Sequence, residues 1–197
     1  MPDWRRILRR SKGSEESVLS PDVAAPLHSD WSWRPGFGDT HGDWVVSLES
    51  GAALGEVKVF HDCPENGVSV RSGFGGIEIE LNQFKGGFAS LVVDLPASAC
   101  AGLTHSHLLR LEVATTLPPG TALFGRLNLR QGPNTDQILR KFEPSHGEMP
   151  VDFDLTLVDL DVSRVTAAWV DVIFETSGGV RINVEDVAMS RRPRAEL

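Results

Sequence analysis

The sequence predicts an all-β protein, an antiparallel sandwich preceded by a short N-terminal helix. Three observations lead there. Apolar residues alternate with polar ones in run after run from Trp44 onward, the signature of strands with one dry and one wet face. Turn-forming clusters separate the runs, as in Glu65-Asn66-Gly67, Lys85-Gly86-Gly87, Pro118-Pro119-Gly120 and Ser177-Gly178-Gly179. Long helical periodicity is missing between them, which favours an antiparallel sandwich over a βαβ sheet.

The elements follow in chain order. Asp3 to Ser11 reads as a helix, with Trp4, Ile7 and Leu8 on one face and arginines around the rest. So short a helix is marginal alone in water and orders against something else. Residues 1–12 form this basic segment, 13–29 a small, polar linker punctuated by Gly13, Pro21 and Pro26, and 30–197 the sandwich. Trp31, Trp33, Phe37 and Trp44 then gather ahead of the regular strands. These rings either cover an open end of the sandwich or form a stacking loop.

About nine or ten strands follow. Their inward residues include Val57-Val59, Ile77-Ile79-Leu81, Leu109-Leu111-Val113, Val151-Phe153-Leu155-Leu157, Val170-Val172-Phe174 and Ile182-Val184. The phase slips between Val184 and Val187, which predicts a β-bulge near Glu185 and Asp186. Short helical pieces are expected at Ala97 to Gly102, Asn134 to Lys141 and Ser163 to Ala167, the second capped by Asn134 or Thr135.

Composition bounds the function. With 197 residues, 41% of them hydrophobic, the chain can build a core without metal or disulfide help. A net charge of -8 and a pI near 5.2 argue against general nucleic-acid binding. Basic residues crowd the two ends: Arg5, Arg6, Arg9, Arg10 and Lys12 at one, Arg191, Arg192 and Arg194 at the other. Cys63 and Cys100 are compatible with one disulfide or with two buried thiols in a reducing cytosol, and the second is favoured. No secretory signal or membrane span is expected, so synthesis in the cytoplasm is. His105 and His107 lack a third ligand, and Asp159 and Asp161 lack calcium-loop spacing, so no metal or cofactor is expected. His61 and Asp62 point to opposite faces of a strand, which makes His61-Asp62-Cys63 a poor catalytic group. No enzyme activity is expected.

The wet faces of the later strands carry Arg126, Asn128, Arg130, Asp152, Asp154, Trp169 and Asp171. If those strands are neighbours, they form a polar face with one aromatic platform. Sugars need that mixture, because a ring meets their C–H face while planar polar groups meet their hydroxyls. The same alternation also yields a solvated face with cross-strand ion pairs. With no tyrosine in the chain, tryptophan must supply the stacking. The N-terminal edge of Trp4, Arg5, Ile7 and Leu8 is the candidate for docking on a protein partner.

Several segments carry a resemblance. They are Phe60-His61-Asp62-Cys63, Phe88 through Leu95, Arg126 through Thr135, Ala168 through Glu175, and Ser190 through Arg194. Over about residues 60–194 the chain resembles a domain-of-unknown-function family of alphaproteobacteria. That family implies no catalytic residue. The ending Trp169-Val170-Asp171 with Ile182 through Ser190 is similar to the closing strands of jelly-roll carbohydrate-binding modules. This second resemblance implies a jelly-roll-like fold and glycan binding. Such modules also serve as spikes or adaptors of phage-like particles, so the alternative expectation is an attachment subunit docked through its N-terminus.

Overall fold

The fold is given by a computed structural model, which describes residues 27–37, 49–63, 67–73, 75–143, 148–176 and 178–194. The expected helix at Asp3 to Ser11, the docking residues Trp4, Arg5, Ile7 and Leu8, most of the linker, and Trp44 lie outside the described residues.

Twelve strands are formed among the described residues, in two antiparallel sheets. The front sheet has the order β2 (Ala52–Leu54), β3 (Val57–His61), β6 (Phe88–Asp94), β11 (Val165–Glu175), β8 (Ala122–Gln131), β9 (Asn134–Lys141). The back sheet has the order β10 (Glu148–Asp154), β7 (His107–Thr116), β12 (Val180–Pro193), β5 (Gly76–Leu81), β4 (Val68–Gly73). The short β1 (Trp31–Trp33) also pairs with β12, beyond the stretch that β5 occupies.

The strand order identifies the architecture. Strands β5 to β12 form the rows β5-β12-β7-β10 and β6-β11-β8-β9. That is the interlocked double Greek key of a jelly roll. Strand β4 widens the back sheet; β2 and β3 widen the front.

The core lies between the sheets, where the alternating residues meet. Leu91, Leu127, Val170, Val172 and Phe174 come from the front, and Ile79, Leu109, Leu111, Phe153, Ile182 and Val184 from the back. Trp31, Trp33 and Phe37 pack against its edge. The register of β12 against β7 shifts between Val184 and Asp186. Glu185 is the extra residue, and Val187 and Met189 thereby regain the buried face. The phase slip in the sequence marks this bulge.

Three local expectations are corrected. Asn134–Lys141 is strand β9, not a helix. Gly132 and Pro133 form the two-residue connection of a β8–β9 hairpin in which Gln131 pairs with Asn134. Gly132 has φ 57°, a conformation suited to glycine as the first residue of such a turn, and proline fixes the φ of the second. The expected helix at Ser163 to Ala167 is a single 3-10 turn at Val162–Arg164, after which β11 begins at Val165. Leu157 is exposed, because β10 ends at Asp154 and the chain turns through Leu155–Leu157. The short helix at Ala97–Cys100 lies inside the range expected for it.

Candidate functional site

Five of the seven sequence-derived site residues meet on the outer face of the front sheet. Strands β8 and β11 are neighbours, with Asn128 opposite Trp169 and Arg126 opposite Asp171. Residues two apart on a strand share a face, so Arg126, Asn128 and Arg130 stand beside Trp169 and Asp171.

Hydrogen bonds tie this group together. Arg126 Nε donates to Asp171 Oδ2 at 2.5 Å, and Asn128 Nδ2 donates to the same oxygen at 3.2 Å. Gln137 of β9 donates to Asn128 Oδ1 at 2.9 Å. Asn128 and Asp171 are buried, with relative exposures of 1% and 2%. Both Asn128 polar atoms and Asp171 Oδ2 are used in this network. Arg126 and the half-buried Trp169 keep exposed surface, and Arg130 is exposed. The Arg130 guanidinium sits 5.5 Å from the Trp169 ring centroid, a cation–π contact of about 0.5–1 kcal/mol at an exposed site. Toward the edge, Lys141 lies over the Phe124 ring and Leu139 stands exposed.

Asp152 and Asp154 do not join this group. They lie on β10, in the back sheet. Alternation shows that they face outward but not from which sheet. There Arg110 binds Asp152 through Nε and Nη2 at 2.8 and 2.9 Å, and Arg192 reaches the same carboxylate at 3.2 Å. The Arg110 hydrogen bond, against the opposing effect of burial, holds the Asp152 carboxyl below its ordinary range. Asp154 accepts from Thr156 N–H and Oγ1 and from Arg194 Nη1. The Thr156 bonds lead in holding its carboxyl low.

Other reactive side chains have structural work. Asp62 accepts from the N–H groups of Gly87 and Phe88 at 2.9–3.1 Å. Burial opposes its ionisation, but those bonds keep its carboxyl low. A Cβ at Gly86 would run into Asp62 Oδ1 and the Phe84 ring, so a side chain there would displace the Asp62 carboxylate. Asp161 caps the 3-10 turn through Ser163 N–H and Oγ. Buried His107 accepts from Thr104 N–H at Nδ1 and turns Nε2 toward Asp30 at 3.3 Å. Nδ1 thus holds the loop before β7, and Nε2 faces Asp30, just ahead of β1. Among the described residues, no group of three or more His, Cys, Asp or Glu side chains could hold a metal ion. No helix among them is long and apolar enough to cross a membrane.

Sequence reasoning missed Gln137, Leu139 and Lys141, because a helical reading of Asn134–Lys141 hides which of its residues share a sheet face. It also missed Arg110 and left Arg192 and Arg194 without a role. Their signal was the opposite charge of Asp152 and Asp154, usable only once β7, β10 and β12 are known to be neighbours.

The fold is similar to several solved structures. One is the enzymatically active domain of tailspike protein 4 of bacteriophage CBA120, with TM-score 0.47 and 12% identity over 74% of this chain and 21% of that one. The chain therefore matches a small part of that tailspike's length. Another is the C-terminal family 22 carbohydrate-binding module of Clostridium thermocellum Xyn10B, with TM-score 0.42 and 10% identity over 90% and 100% of the two chains. A family 30 carbohydrate-binding module matches with TM-score 0.44 and 9% identity over 86% and 92%. No curated protein matches the chain. Residues 11–197 match DUF6478, described as a family of unknown function, and the chain belongs to that family.

Proposed function

We propose that the protein is a non-enzymatic glycan-binding module that uses the outer face of its front sheet. The observation that carries this reading is Trp169, half-buried at the middle of the sheet, with the Arg130 guanidinium against its ring and Arg126 on the neighbouring strand. A pyranose ring offers a C–H face to an indole and a rim of hydroxyls to planar donors. Arg126, Arg130 and Gln137 carry such donors around the ring. The network through Asn128 and Asp171 supports the reading, because ligand contacts need side chains already held in position.

A glycan array probed with the full chain and with Trp169→Ala tests the proposal. The wild type is expected to give discrete hits that fall to background in the variant. Equal signal from both proteins, or none from either, contradicts it.

A further inference from the structure

The back sheet carries a second feature, independent of the front face. A cavity of about 890 Å³ opens there, and the described residues lining it include Leu27, His28, Arg110, Arg192, Pro193 and Arg194. Three of these are guanidinium side chains from two neighbouring strands and the segment after β12, and no carboxylate lines it among the described residues. The aspartates that neutralise them hold them by part of their donor set. Asp152 takes two N–H groups of Arg110 and one of Arg192, and Asp154 takes one of Arg194.

A guanidinium has five N–H donors in a fixed fork, so each arginine keeps several for a ligand. The three side chains also keep 32%, 33% and 48% of their surface exposed. In a chain of net charge -8, these three arginines outnumber the two aspartates that hold them. The Asp152 pair keeps Arg110 firmly charged, its pKa raised above the ordinary value. Leu27 and Pro193, both exposed, form an apolar rim.

We infer that this cavity binds an organic oxyanion, with a carboxylate or sulfate group received by Arg110, Arg192 and Arg194 and a less polar part lying along Leu27 and Pro193. In this arrangement Asp152 and Asp154 are positioning residues: they fix the forks and do not touch the ligand.

The test is calorimetric titration of the full chain in low salt with three probes: a tetrameric oligogalacturonate, a heparin-derived tetrasaccharide and neutral cellotetraose. The first two separate carboxylate from sulfate as the recognised group. Arg192→Gln keeps the fold, because Asp152 retains both bonds from Arg110. It should weaken the charged probe about tenfold or more, the effect of one charge-assisted bond. Arg181→Gln makes the same change of charge at the other end of β12, where Arg181 pairs with Glu80, and should leave affinity within about twofold. Every titration is repeated in a Trp169→Ala background, which removes the proposed front-face contact, so failure of the front-face reading is scored separately. No binding of either charged probe overturns the inference. So does an unchanged affinity in Arg192→Gln, or an equal loss in Arg181→Gln.

Discussion

Asp171 shows how a buried carboxylate is accommodated on the polar face of a sheet. Its carboxylate faces outward yet is only 2% exposed, so its charge must be met by neighbours rather than by water. Arg126 and Asn128 meet it. Arg126→Ala leaves the carboxylate with Asn128 alone and should lower stability by about 3 kcal/mol, the low end for breaking a buried pair because Arg126 itself is partly exposed. A urea midpoint shift at constant slope is the check; a loss below about 0.5 kcal/mol, the usual range of a surface change, contradicts this role. His107 gives a second prediction at this scale. Burial pushes its pKa below the ordinary 6.5, against the attraction of Asp30 and helped by the Arg191 charge. The unfolded chain therefore takes up the proton first, and stability present above about pH 6.5 is lost as pH falls through the folded value. His107→Gln should flatten the fall between pH 7 and 5.5 in urea unfolding, while the low-pKa carboxyls of Asp62, Asp152 and Asp154 cause a separate decline below pH 4. An unchanged slope above pH 5.5 would rule out the first step.

Among elements, the β8–β9 hairpin is the most informative. Its turn depends on Gly132 at φ 57°, so Gly132→Ala should cost about 1–2 kcal/mol, the penalty of a left-handed backbone for an L-residue. The added Cβ would meet only the mobile end of Arg164, which can move aside. Destabilisation below about 0.3 kcal/mol in denaturant titration would contradict the turn geometry. Strands buried on one face were legible because Ile77, Ile79 and Leu81, or Val170, Val172 and Phe174, repeat every second residue. The β12 bulge was legible as a break in that rhythm. Strand β9 was not, because an edge strand buries little: Ile138 is its buried residue, and polar side chains occupy both faces. Its Gly-Pro turn carried the missing information.

For the whole molecule, what local patterns leave open is which strands share a sheet. Alternation assigned Asp152 and Trp169 to outward faces, but the crossing from β9 to β10 puts them on opposite sides of the sandwich. Pairings of that kind depend on contacts far apart in the chain, beyond the reach of a local reading. The resulting jelly roll separates two chemistries. The front carries an indole with planar donors, and the back carries guanidiniums braced by aspartates. The most direct test of front-face binding is a two-dimensional NMR titration of the isotope-labelled chain with the glycan giving the strongest array signal. Shifts should cluster on β8, β9 and β11, with the Trp169 indole N–H among the largest. Perturbations confined to the back sheet, with Trp169 unmoved, would contradict the account.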